Sequence, residues 1–204
     1  MSDQLLVQSG AARRDFFTRE HMLLGKLAAE GQQPKALFVT CSDSRITPET
    51  LFALRPGDFF IMRNVANVVP PYYHSDVGSV APLEFAVRAL HVPHIVVCGH
   101  TDCGGIRALD QSLSVAEWPS LSSWLEVARP AQRDVDYSRE ELEDEERHQA
   151  IVERNVLRQL ENLRTYPFVR EAEEAGRLQL HAWVYYLSEP AVRAYDPEQN
   201  AFVA

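Results

Sequence analysis

The chain has 204 residues, 46% hydrophobic and 24% charged, which fits one globular domain with a full core and no need of disulfide staples. Twenty Lys and Arg against 29 Asp and Glu leave a formal charge of −9. That balance argues against partners that demand a basic surface, namely a nucleic-acid backbone or an anionic membrane. No apolar run approaches the roughly 20 residues that span a bilayer. The first residues lack the basic and apolar segments of a signal peptide, and three cysteines, an odd count, do not fit a secreted disulfide framework. The expectation is a soluble protein of a reducing compartment, the cytoplasm.

Residues 11–30 read as a helix, with Phe16, Phe17, Leu23, Leu24 and Leu27 as its apolar stripe, broken by Gly31. Ala36-Leu37-Phe38-Val39 is a short apolar strand ending at Cys41. Thr47-Pro48 opens a helix as N-cap and first helical residue, and Gly57 punctuates its end. Asp58 to Met62 is a second strand, and a helix over about 79–90 follows the turn-rich Val69-Pro70-Pro71-Tyr72. His94-Ile95-Val96-Val97-Cys98 is a third strand, closed by Gly99. Residues 113–137 read as irregular, with Pro119 and Pro130 as breakers. Ser138 with Glu141 forms a capping box that starts a long helix to about Arg164. Leu178 to Leu187 is a further strand, and the last dozen residues form a hairpin arm around Asp196-Pro197-Glu198. Apolar strands alternating with helices predict an α/β fold: a mostly parallel central sheet flanked by helices, in one domain over 1–204, with 1–31 as an N-terminal helical arm.

Over half of the acidity is local. Residues 133–147 hold eight acids against three arginines, net −5, and acids at a helix N-terminus are favoured by the macrodipole. The stretch reads as a solvated helix start rather than a docking site.

Two segments carry chemistry, each just past a predicted strand: Cys41-Ser42-Asp43-Ser44-Arg45 and Gly99-His100-Thr101-Asp102-Cys103-Gly104-Gly105. In open α/β sheets that edge is where sites form. Cys41, His100 and Cys103 offer two thiolates and an imidazole, a donor set for zinc, and three protein ligands leave a fourth position open. Taken alone, Cys41 reads equally as a small buried hydrophobe, which is the reading for Cys98 inside its apolar run. No C-x-x-C spacing favours a thiol redox pair. Asp43 can bind the metal's open position itself, as a fourth ligand in a closed state, or be held by Arg45 in a bidentate pair. A plain ion pair bracing the loop is the simpler alternative.

The motif Cys-Ser-Asp-Ser-Arg followed at a distance by Gly-His-x-x-Cys-Gly-Gly, with Arg63-Asn64-Val65-Ala66-Asn67 between them, resembles the β-class carbonic anhydrases over most of the chain. The resemblance implies zinc on Cys41, His100 and Cys103, and reversible hydration of carbon dioxide to bicarbonate and a proton by zinc-bound hydroxide, with Asp43 and Arg45 as catalytic residues. It implies substrate contacts from Gln32, Phe60, Val65, Phe85 and Gly104. Gln32 would supply a side-chain amide, Phe60 and Val65 apolar walls, and Gly104 a backbone N–H. Phe85 stands where plant-type members commonly carry Tyr, so a hydroxyl is missing there. Gln32 and Phe60 would reach the zinc of a partner subunit, which implies an obligate homodimer, built up in some members to tetramers or octamers, gripped by the arm helix. Phe38 and Thr40 stand where some bacterial members carry the Trp and Gly of a bicarbonate regulatory pocket, leaving only Tyr185 as a match. Alternatives are a hydrolase of carbon disulfide or carbonyl sulfide on the same scaffold, and a non-catalytic zinc-stabilised regulatory subunit.

Two thiolates already neutralise a dication's formal charge, so water at this centre is less acidified than at a three-histidine zinc. Activity is therefore expected to rise with pH between 7 and 8.5. Stopped-flow rates across that interval check this, and a falling profile would contradict it.

Overall fold

The computed structural model describes residues 10–111, 113–138 and 142–204. A six-stranded sheet runs through the molecule in the order β2-β1-β3-β4-β5-β6. Its strands are β1 (Ala36–Cys41), β2 (Phe59–Asn64), β3 (His94–His100), β4 (Gln179–Tyr186), β5 (Ala191–Asp196) and β6 (Ala201–Val203). The first four are parallel, and β5 and β6 add as an antiparallel hairpin at one edge. The expected mostly parallel sheet and terminal hairpin are both present.

Every residue of β1 is buried, as a central parallel strand covered on both faces requires. Its one polar side chain, Thr40, donates from Oγ1 to the Cys98 carbonyl at 3.0 Å, so burial leaves no hydroxyl unsatisfied. Alternation divides the strand between two cores. Leu37 and Val39 join Ile95 and Val97 against the long helix, while Phe38 joins Val96 and Cys98 on the opposite face. There Phe38 lies 5.5 Å from the Phe52 and Phe59 rings and 6.2 Å from Trp183.

The helices are α1 (Gly10–Glu30), α2 (Pro48–Leu51), α3 (Val77–Glu84), α4 (Gly104–Arg107), α5 (Pro119–Leu125), α6 (Arg129–Asp136), α7 (Asp144–Leu163) and α8 (Pro167–Glu174). The arm α1 lies largely exposed, with Phe17 52% and Met22 86% accessible, and is tethered by Glu20 to Arg55 at 2.9 Å. Asp76 caps α3 by accepting from the Ser79 N–H at 3.0 Å. After Glu84 the turn widens to a π-helix over Phe85–Ala89.

Two expectations need correction. Residues 113–137 are not irregular: Pro119 and Pro130 sit in the first turns of α5 and α6, where a missing N–H costs nothing and the fixed φ favours the helix. The long helix starts at Asp144, capped by Glu143 and Glu146 in a reciprocal box rather than by Ser138 and Glu141. Ser138 instead donates its hydroxyl to the Val135 carbonyl at 2.7 Å as α6 ends, and Glu141 lies outside the described residues. Carboxylate oxygens accept from N-terminal N–H groups as a hydroxyl does, and the macrodipole favours their charge.

Helix α7 buries Ile151, Val152, Val156 and Leu163, together with three polar residues, His148, Asn155 and Gln159. Gln159 donates to Asn155 at 2.8 Å, Asn155 donates to the Ala66 carbonyl at 3.1 Å, and the Val69 N–H donates to Gln159 at 2.9 Å. This ladder ties α7 to the turn at 65–69, where Ala66 and Asn67 adopt positive φ of 63° and 48°. Gly99 lets α7 approach β3: a Cβ there would fall 2.6 Å from Val156 Cγ2. Gly99→Ala is therefore expected to destabilise the fold by about 1–3 kcal/mol through overpacking. A lower urea midpoint at unchanged m-value checks it.

Candidate metal centre

Strand β1 is flanked by β2 on one side and β3 on the other, so the chain reverses its direction of travel across the sheet there. Such a switch point opens a crevice beyond the carboxyl ends of the two strands. Cys41 is the last residue of β1, His100 the last of β3, and Cys103 precedes α4. Their donor atoms lie within 4.8 Å of one another, and all three residues are buried.

The geometry suits zinc. The Cys41 and Cys103 sulfurs are 3.9 Å apart, close to the roughly 3.8 Å that two Zn–S bonds of about 2.3 Å span at a tetrahedral angle. His100 Nδ1 lies 2.9 Å from the Thr101 carbonyl, which can only accept, so Nδ1 carries the proton. Nε2 then bears the free lone pair, and it is fully buried without a hydrogen-bond partner. Such an atom is costly unless something electrophilic meets it. The backbone carbonyl fixing the tautomer is the usual second partner of a metal-bound imidazole.

The charge state agrees. Hydrogen bonding from the Cys103 thiol, with a smaller contribution from the Asp43 N–H, outweighs the opposing effect of burial and brings the Cys41 thiol down to about 4. Hydrogen bonding to the Cys41 thiolate, then burial, pushes Cys103 up. A dication removes this antagonism by taking both sulfurs as thiolates. Cys98 behaves as expected of a core residue, with burial pushing its thiol up to about 12.

Asp43 and Arg45 flank the donors. Arg45 donates from its backbone N–H and Nε to Asp43 Oδ1, at 2.9 and 3.0 Å, and from Nη2 to Oδ2 at 2.8 Å. The guanidinium holds the Asp43 carboxyl at about 2, so it is ionised and accepts only. Its Oδ2 sits 3.9 Å from His100 Nε2, beside the donor cluster.

Not every expected site residue gathers here. Val65 does: it follows Asn64, which pairs with Cys41, and its Cγ1 would meet a Cβ on Gly105 at 2.9 Å. Gly105 is thus needed for close approach. Gly104 begins the single turn of α4, with no heavy atom within 4 Å of where a Cβ would point. Phe60 pairs with Leu37, four residues back along β1 and about 13 Å from the metal end at about 3.3 Å per residue. Phe85 is 48% exposed and touches Phe60, their ring centroids 5.8 Å apart. Gln32 is exposed, ahead of β1 and so at the opposite end of the strand from Cys41. Gln32, Phe60 and Phe85 therefore lie apart from their own chain's centre.

Several neighbours make contacts that residue spacing does not predict. Arg63 donates from Nε to the Cys41 carbonyl at 3.1 Å and from Nη2 to the Asp43 carbonyl at 2.9 Å, fixing the loop between them. Trp124 donates to the Val65 carbonyl at 2.9 Å. Asp102 accepts from Arg45 Nη1 at 2.7 Å and from Arg107 Nε at 2.9 Å. Except for the Arg107–Asp102 pair, these contacts join residues 20 to 59 apart in sequence and leave no periodic trace.

An α/β sheet with a Cys-His-Cys centre at its switch point, and an arginine-held carboxylate beside it, defines a metal-dependent enzyme of the open-site kind. A family profile described as carbonic anhydrase matches residues 36–192. A carbonic anhydrase of Pseudomonas aeruginosa is 41% identical over 192 residues, 94% of this chain and 86% of that one. Among solved structures, the β-carbonic anhydrase CcaA superposes with a TM-score of 0.92 at 36% identity, covering 100% of this chain and 92% of that one. A tetrameric β-carbonic anhydrase of Sordaria macrospora superposes at 0.82 and 29% identity, over 98% and 97% of the two chains. The chain belongs to the β-carbonic anhydrase family, zinc enzymes whose reaction is the reversible hydration of carbon dioxide to bicarbonate and a proton.

Elemental analysis is expected to find one zinc per chain. Cys103→Ser and His100→Ala should lose it, while Cys98→Ala should keep it. Retention of stoichiometric zinc by the first two would contradict the ligand set.

Proposed function

We propose that this chain carries out the family's reaction with Cys41, His100 and Cys103 holding zinc and with Asp43 and Arg45 as the catalytic pair. The observation that carries the proposal is the double hydrogen bond from the Arg45 side chain to Asp43, which leaves Oδ2 facing the donor cluster. Zinc bound there supplies Lewis acidity, lowering the pKa of water from about 16 towards about 7. Asp43, ionised and acceptor-only, admits a group that brings a proton to it and repels one that brings a lone pair. It thereby orients a protic nucleophile and selects the protonated oxygen of bicarbonate in the reverse direction. Arg45 keeps Asp43 off the metal's open position, which that carboxylate is close enough to take. Val65 supplies an apolar wall suited to a substrate without a net dipole, and the Gly104 N–H a donor for a product oxygen.

The placement of Gln32 and Phe60 supports a centre completed by a second subunit, since neither reaches the donors of its own chain. Exposed aromatic and aliphatic residues at Tyr73, Val77 and Phe85 are a surface that a partner would cover. The working unit in this reading is a homodimer, with a tetramer like that of the Sordaria relative as the larger assembly. Three cysteines without a disulfide support a cytoplasmic location.

Stopped-flow hydration of carbon dioxide tests the reading. The zinc-loaded protein should be active, a chelator should abolish the activity, and Arg45→Ala should reduce kcat/KM by about 10² or more while retaining zinc. Near-normal turnover by Arg45→Ala would sink the assigned role of the pair. Hydrolysis of carbonyl sulfide without hydration of carbon dioxide would redirect the substrate assignment.

A further inference from the structure

We propose that Asp102, braced by Arg107 and Glu145, is a positioning residue for this reaction: it pins the Arg45 guanidinium so that Asp43 stays turned away from the metal's open position. The proposal rests on the Asp43–Arg45 reading above and extends it to residues outside the pair.

Arg45 is gripped on two sides. Its Nε and Nη2 serve Asp43, while Nη1 donates to Asp102 Oδ2 at 2.7 Å and Nη2 donates its second hydrogen to the Asp102 carbonyl at 2.9 Å. The two carboxylates use different N–H groups, so Asp102 does not compete for the hydrogen bonds that Asp43 receives. Asp102 is itself held: Arg107 Nε donates to its Oδ1 at 2.9 Å, and Arg107 Nη2 reaches Glu145 in the first turn of α7 at 2.7 Å. The chain Asp43–Arg45–Asp102–Arg107–Glu145 thus runs from the metal edge to the long helix. Arg45 first, then Arg107, holds the Asp102 carboxyl below the usual carboxylate range.

The brace matters because Arg45 is a poor anchor alone. Its side chain is 46% exposed, and an isolated exposed ion pair contributes little once rotamer entropy is counted. A guanidinium fixed by a second carboxylate has already lost that freedom. Asp102 sits between the ligands His100 and Cys103 in the left-handed region, with φ of 56°. The turn that delivers two ligands therefore also delivers the clamp on Arg45.

Asp43 has two docking options, Arg45 and the metal, and loosening Arg45 shifts the population to the second. A carboxylate on the metal is an intramolecular competitor, so an external anion's apparent Kd rises by the reciprocal of the open fraction. The fraction of molecules ready for turnover falls by the same factor.

Thiocyanate binding to the cobalt-substituted full-length protein, followed by visible absorption, gives a readout independent of turnover. It is paired with kcat/KM for carbon dioxide and with metal content. Asp102→Asn keeps size and tolerates the left-handed backbone. It should weaken thiocyanate and lower kcat/KM by a matching factor, roughly threefold to tenfold, with metal content unchanged. Arg107→Met, one step further out, should move both in the same direction by less, and Arg107→Lys should recover part of the loss. If Asp102→Asn fails to load metal, the Arg107 pair carries the comparison. Unchanged thiocyanate affinity in these variants overturns the proposal, including the case where kcat/KM falls only with metal loss. Arg45→Ala separates the two levels. Weaker thiocyanate in Arg45→Ala but not in the Asp102 and Arg107 variants removes only the positioning role, whereas no change in Arg45→Ala removes the reading beneath it.

Discussion

Everything at this site depends on three electron-rich atoms being forced together where water cannot satisfy them. The Cys41 sulfur and the His100 Nε2 are buried at the ends of β1 and β3, and the Cys103 sulfur is buried just beyond β3. Two sulfurs in one such pocket cannot both ionise cheaply, and a buried imidazole nitrogen without a partner is unfavourable. A divalent ion resolves both problems at once, so the metal belongs to the fold's energetics as well as to its chemistry. The sheet can impose this crowding because β1 and β3 are neighbours whose chains leave in opposite directions across it. A crevice opens between their ends whatever occupies it.

The supporting structure is arranged around keeping that crevice open on one side. The Asn155–Gln159 ladder of α7 holds the strained turn that carries Val65, and Gly99 and Gly105 let helix and turn come close enough to do so. Arg63 secures the loop carrying Asp43 by its carbonyls, while Arg45 secures the Asp43 side chain. The loop carbonyls and the carboxylate are thus held by the side chains of different arginines.

How much of this was legible in the sequence depends on the range of each interaction. The strands announced themselves as short apolar runs, and the ligands lay immediately past two of them, so the centre could be read from local pattern plus the strand-end rule. Pro119 and Pro130 misled because a proline that ends one helix is also the best first-turn residue of another, and only the residues beyond it tell the two cases apart. The capping box misplaced at Ser138 reflects a choice among several acids in one stretch, where tertiary pairing decides. Arg147 takes Asp136, and Arg154 and Arg158 take Asp134, which ties those two acids of α6 to α7 rather than placing them at its head. Asn155 and Gln159 hid on an apolar helix face, and Asp102 hid between two ligands, because each has a deciding partner far along the chain: Ala66 is 89 residues from Asn155, Val69 is 90 from Gln159, and Arg45 is 57 from Asp102.

The acidity that marks the composition takes on a different meaning beside the site. At its rim Asp43, Asp102 and Glu145 face Arg45, Arg63 and Arg107, and the six formal charges cancel. A neutral rim suits the reaction: carbon dioxide carries no charge to be steered, and a basic pocket would retain bicarbonate after its formation. The arginines are therefore present without creating an anion trap, because each is committed to a carboxylate or a carbonyl. In the function proposed above, specificity for a protonated oxygen falls to one ionised group, Asp43. On the proposal that the groups holding Arg45 set its position, a site with little net field discriminates by where its hydrogen-bond acceptors point.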